Sequence, residues 1–133
     1  MLFVEIVSPD GAVFRGEAEG VQAPGVEGSF EVRTGHAPMI AAFGVGPLRL
    51  RQAAGDALVY ATSGGFLEVL DNRVTVLAET AEPATAIDTE RARTAEERAR
   101  ERVRAAADPA ERASAEAALE RARNRLRMSM GKV

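Results

Sequence analysis

Apolar and polar positions alternate along the first part of the chain. Leu2, Val4 and Ile6 share one face of an extended run, and Glu5 points the other way. Ser8-Pro9-Asp10-Gly11 ends that run as a turn, because Pro presets φ and Gly accepts positive φ. Short strands are predicted near 12–16, 18–23 and 29–33. Leu48-Arg49-Leu50-Arg51 alternates leucine inward and arginine outward, Gly55-Asp56 is a turn, and 58–62 is another strand. Phe66-Leu67-Glu68-Val69-Leu70 and Val74-Thr75-Val76-Leu77 flank Asp71-Asn72-Arg73, a hairpin with Asp and Asn at its tight turn. Strands this short, with turn signals every ~8–12 residues, predict a sandwich or barrel.

Beyond Pro83 the period changes. Asp108-Pro109-Ala110-Glu111 is a helix start: Asp108 is the N-cap, Pro109 the first helical position, and Glu111 completes a capping box. The second helix runs from 109 to about 128, and the first from near Asp88 to near Ala107. So short a break predicts an antiparallel hairpin. Its seam is mostly alanine: Ala92, Ala95, Ala99, Val103 and Ala106 face Ala115, Leu119, Ala122 and Leu126. Each buried methyl contributes roughly 0.8 kcal/mol at most. Such a hairpin either opens or detaches as part of its function or stays permanently closed, and periodicity alone leaves both readings standing.

The expected architecture is therefore α+β: a β-sandwich over 1–83, then an antiparallel two-helix hairpin over 84–133. Composition sharpens this division. Residues 1–83 hold eleven of the twelve glycines, five of the six prolines and all six aromatics. They carry five basic and eleven acidic groups, whereas residues 84–133 carry twelve basic and nine acidic groups. From Arg121 to Lys132 there are five cations and no anion, a basic tip suited to an acidic partner or to a helix C-terminus. The chain has no cysteine and one histidine, which excludes disulfides and thiolate chemistry and disfavours a His-based zinc site. No apolar run approaches the ~18 residues of a membrane span.

Two places hold candidate chemistry. The stretch from Gly28 to Pro38 is irregular, and Gly35 and Pro38 bracket His36 in a loop that is either a locally bonded turn or a partner contact. Gly64-Gly65 lacks phosphate-cradle spacing and reads as a bulge or a close backbone approach. In the hairpin, facing residue numbers sum to about 215 if the pairing is symmetric about the bend. That brings Asp88 and Arg91 opposite Arg121 and Arg125, near Glu82. Three guanidiniums around one carboxylate form either a mixed salt-bridge cluster or a seat for an added anion such as phosphate. No Walker motif, activated nucleophile or metal set is visible. A small sandwich enzyme would need an acid–base pair that is not apparent. An arginine-rich nucleotide- or nucleic-acid-binding adaptor would lack aromatics in its basic half for stacking.

At these motifs the chain resembles the epsilon subunits of bacterial F-type ATP synthases, over essentially its whole length. The resemblance rests on Gly35-His36-Ala37-Pro38, on Ser63-Gly64-Gly65-Phe66-Leu67-Glu68-Val69 with Val74-Thr75-Val76-Leu77-Ala78, and on Ile87-Asp88-Thr89-Glu90-Arg91-Ala92. It implies a non-catalytic rotor-stalk subunit, peripheral on the cytoplasmic face of the bacterial plasma membrane, that needs no cofactor. The sandwich would bind the gamma subunit and the c-ring through the loop bearing Ser29, Glu31 and His36, coupling proton-driven rotation to synthesis. The family's loop acid is either missing here or displaced by two: Ser29 stands in its place, and Glu31 lies two residues on, on the same strand face. The helices would either fold back or extend, and Arg123 and Arg127 would then meet an acidic segment of the beta subunit and inhibit hydrolysis. The folded form would bind ATP as a regulatory ligand through Glu82, Ile87, Asp88, Arg91, Ala92, Arg98, Arg121 and Arg125.

Overall fold

The computed structural model describes residues 1–131; Lys132, the last cation of the basic tip, and Val133 lie outside them. The chain separates into two compact units, Met1–Pro83 and the residues from Ala84 onward.

The first unit is a sandwich of two five-stranded sheets. One sheet has the order β2 (Gly11–Ala18), β1 (Leu2–Ser8), β9 (Arg73–Ala78), β8 (Gly65–Leu70), β5 (Met39–Phe43). The other has the order β10 (Ala81–Pro83), β7 (Ala57–Thr62), β6 (Gly46–Arg51), β3 (Gly20–Ala23), β4 (Phe30–Arg33). Every pairing is antiparallel except β1 with β9, where Val4 lies beside Val74 and Ile6 beside Val76. Leu2, Val4 and Ile6 are wholly buried, as their alternation predicts, with Leu48, Leu50, Leu67 and Val76 beside them. The apolar transfer of so many side chains drives this unit together.

The expected single strand over 18–23 is interrupted at Glu19. Ala18 ends a strand of the first sheet and Gly20 begins one of the second, so the chain changes layers there. Two strands escaped the sequence pattern. Met39–Phe43 does not alternate cleanly, and its place beside β8 is set by pairing rather than local propensity. Ala81–Pro83 is three residues long and lies on an edge, where a proline is tolerated.

The β8–β9 hairpin turns through Asp71 and Asn72, with φ of 48° and 60°. Two consecutive left-handed residues match the twist of the strands they join. Gly65 has φ +154°, and a Cβ there would stand 2.0 Å from the carbonyl oxygen of Leu77. The Gly64-Gly65 pair is thus a close backbone approach.

The second unit begins with a 3-10 turn, Ala84–Ala86, followed by α1 (Thr89–Ala105) and α2 (Pro109–Ser129). Asp108 caps α2 by accepting from the Glu111 amide at 2.8 Å. Glu111 reaches back one residue further than a standard capping box and accepts from the Ala107 amide at 3.0 Å. Asp88 likewise caps α1, accepting from the Arg91 amide at 3.1 Å.

Candidate functional site

The hairpin seam departs from its expected composition. Ala92, Ala99, Ala115, Leu119 and Ala122 are buried, but Ala95, Val103, Ala106 and Leu126 are only half-buried. Glu96 is buried among them. Glu96 pairs with Arg123, and Ala99 packs with Leu119 and Ala122. The register therefore lies about four residues further along α2 than symmetry about the bend requires. Ala106 and Asp108 are both extended. At about 3.3 Å per extended residue, the connector carries the chain past the end of α1 before α2 begins. Arg121 consequently stands level with Arg98, not Arg91, and Arg125 falls between the levels of Arg91 and Arg98. Asn124 and Met128 are buried on the α2 face away from the seam, a stripe the heptad-like pattern does not reveal.

Helical spacing then separates the cations into two sides. Arg91, Arg98 and Arg102 recur at intervals of seven and four, one stripe of α1. Arg121 and Arg125 form a matching stripe on α2. In an antiparallel pair the two stripes fall on the same side, and near the bend Arg102, Ala105, Ser114 and Ala115 line one cleft there. Asp88 is the acid at the open end of this side. The opposite side is mixed: Glu96, Arg100, Glu116, Glu120, Arg123 and Arg127 interleave, and Glu116, Glu120, Arg123 and Arg127 share a cleft with Leu119.

Arg91, Arg98 and Arg121 are exposed, and none makes a side-chain ion pair or hydrogen bond with a described residue. Unpaired guanidiniums about two helical turns apart, near 10 Å, form an anion-attracting strip. Ile87 and Ala92 are buried and anchor the start of α1. Glu82 lies in β10, the last strand of the first unit.

In the sandwich, Ser29, Glu31 and His36 do not converge. Ser29 is exposed in the loop before β4, Glu31 lies within β4, and His36 follows the other end of that strand. The Glu31 carboxylate is held by Arg51 at 3.0 Å and by Arg33 at 3.3 Å. It sits over Gly20, where a Cβ would come within 2.7 Å of its oxygen. Glu31 is thus a neutralised acid on a sheet face rather than an acid offered by a loop. The His36 ring donates from Nδ1 to the Ala37 carbonyl at 2.7 Å, and the Gly35 amide donates to Asn72 Oδ1 at 2.7 Å. That loop is tied to the β8–β9 turn.

Sequence reasoning missed an apolar surface. Ile40, Phe66, Leu70 and Leu77 are exposed, at 72%, 58%, 50% and 55%. Phe66 pairs in register with Ala42 on one side and Leu77 on the other, so these side chains share the outer face of the first sheet. An exposed apolar row of this kind marks an interaction surface. The signal was available in the hairpin itself, since both faces of Phe66–Leu70 carry large apolar residues.

Two family models match. The beta-sandwich domain of the ATP synthase delta/epsilon chain matches residues 1–84, and the long alpha-helix domain of the same chain matches residues 86–130. The ATP synthase epsilon chain of Salinibacter ruber is 59% identical, over 99% of this chain and 94% of that one. The epsilon chain of Syntrophomonas wolfei is 42% identical, over 95% and 92%. Among solved structures, a chain of the Euglena gracilis mitochondrial ATP synthase OSCP/F1/c-ring assembly has a TM-score of 0.80 at 28% identity, over 90% of this chain and 75% of that one. A chain of the Tetrahymena thermophila central stalk/c-ring has a TM-score of 0.67 at 15% identity, over 99% and 96%, a likeness of fold.

Proposed function

The chain belongs to the ATP synthase delta/epsilon family, as an epsilon-type subunit of that complex, and we propose that it is a non-catalytic rotor subunit with a regulatory arm. Its sandwich docks on the gamma subunit and the c-ring at the cytoplasmic membrane face. The apolar row of Ile40, Phe66 and Leu77 supports a docking role for this unit. Its hairpin either stays folded or extends to meet an acidic surface of the beta subunit through Arg123 and Arg127, which inhibits ATP hydrolysis.

The observation that carries the regulatory part is the one-sided arginine face. Arg91, Arg98, Arg121 and Arg125, with Asp88 at the open end and Ile87 and Ala92 beneath, suit a polyphosphate with a nucleoside beside it. Bidentate guanidinium–phosphate bonds are strong, and a ligand that spans both helices favours the closed hairpin by mass action. ATP is here a regulatory ligand rather than a substrate.

Arg121 gives the clean test because it makes no side-chain ion pair or hydrogen bond with a described residue. Arg121→Ala should weaken ATP binding by about tenfold or more in calorimetry, in keeping with one lost charge-assisted bond of roughly 1.5–3 kcal/mol. Unchanged affinity would remove this face from the reading.

A further inference from the structure

Glu96 is the one buried carboxylate among the described residues, 6% exposed, in a seam otherwise made of small and aliphatic side chains. Its Oε1 is paired with Arg100, one turn along the same helix, and stands 3.8 Å from Nε of Arg123 on the facing helix. The two partners differ in kind. Arg100 lies four residues along α1, so it follows Glu96 wherever the helix goes. Arg123 reaches Glu96 only while α1 and α2 lie side by side. Closing the hairpin therefore commits the Arg123 guanidinium to Glu96, with its outer side still in solvent, and opening it releases that guanidinium.

We infer that Glu96 is an internal competitor for Arg123: in the closed hairpin it holds the guanidinium that an acidic partner surface takes from the extended arm. The inference rests on the proposed inhibitory arm. The two contacts belong to different states of the arm: Arg123 reaches Glu96 only while the helices lie side by side, and the partner surface only when the arm is extended. Alanine methyls favour closure without selecting a register, whereas the second cation, Arg123, reaches Glu96 in one register alone.

The chain has no cysteine, so a nitroxide pair at Glu90→Cys and Met130→Cys reports helix separation by pulsed EPR on the full chain. Glu96→Gln, nearly the same size, should raise the long-separation population about fivefold, a shift typical of one coupled pair. Arg123→Gln should do the same, and the double substitution should add little to either. In the assembled ATP synthase, Glu96→Gln should lower ATP hydrolysis, and Arg123→Gln should not. Unaltered separations in Glu96→Gln, additive effects of the two substitutions, or opening without a fall in hydrolysis would each overturn the competition. Truncation after Pro83 tests the underlying arm separately. If it leaves hydrolysis unchanged, the inhibitory arm itself is wrong; if it raises hydrolysis while Glu96→Gln leaves the separations alone, only the competition is wrong.

Discussion

In the sandwich, Leu2, Val4, Ile6, Leu48, Leu50, Leu67 and Val76 are wholly buried and come from four strands in two sheets. In the hairpin the buried seam is Ala92, Ala99, Ala115 and Ala122, with Leu119 and the half-buried Val103 adding bulk. Burying a Leu or Ile side chain contributes about 1.5–3 kcal/mol, against roughly 0.8 for an alanine methyl. The sandwich is also tied by long-range ladders, whereas most hairpin hydrogen bonds stay within one helix and survive separation of the pair. The first unit thus keeps one shape, and the second can exchange its partner surface at modest cost. That is the division of labour a docking module and a regulatory arm require.

The largest test of this contrast is Gly65→Ala. A methyl 2.0 Å from the Leu77 oxygen cannot be relieved by a rotamer change, because the Cβ position is fixed by its own backbone and the oxygen is a backbone atom. The substitution should destabilise the sandwich by more than about 3 kcal/mol. Urea unfolding followed at Tyr60, the chain's one tyrosine, measures it, and a native midpoint would contradict the tight β8–β9 approach. Next in size, Leu119→Ala should cost the hairpin about 2 kcal/mol, because little else in that seam has bulk to lose. Its signature is loss of far-UV helical signal at a urea concentration where the Tyr60 transition has not moved. A joint shift of both transitions would mean that the units do not differ as described.

Asp108→Ala removes the α2 cap and should cost about 1 kcal/mol, again in the helical signal. The smallest expected effect is confined to the sandwich. Burial raises the Tyr60 phenol above its usual 10.0, so the folded chain keeps the proton that the unfolded chain releases. This contribution is complete below about pH 10 and is lost as pH rises through the raised value. Phenolate absorbance should appear at higher pH in the folded chain than in urea; coincident titrations would refute it.

Much of the fold was legible because local signals agreed. Leu2, Val4 and Ile6 alternate over a buried face, and Asp108-Pro109 sets a helix start through chemistry that needs no tertiary context. What escaped depended on distant partners. Met39–Phe43 becomes a strand by pairing with β8, and Ala81–Pro83 by pairing with β7. Glu96 escaped because a buried acid breaks the apolar rule that finds seams, and only the structure brings Arg123 to it. The arginines were legible by type and spacing, but their levels were not. Three connector residues shift the register, which moves Arg121 beside Arg98. For Ser29, Glu31 and His36, sequence proximity suggested one contact; the length of β4 separates them, and Arg33 and Arg51 neutralise the middle one.

The parallel pairing of β1 with β9 imposes an order of events on synthesis. Leu2–Ser8 leaves the ribosome some seventy residues before Arg73–Ala78, yet that later strand is one of its two neighbours. Until that strand emerges, Leu2, Val4 and Ile6 have only the β2 ribbon to cover them, and an isolated two-stranded ribbon is marginal in water. The hairpin faces no such wait, since its contacts lie close in sequence and form quickly once both helices exist. The earlier-made strand is therefore completed late, and a nascent chain arrested before Arg73 would carry an open apolar edge. Protection of that edge during translation, rather than any step in the helices, is where yield of this subunit would be won or lost.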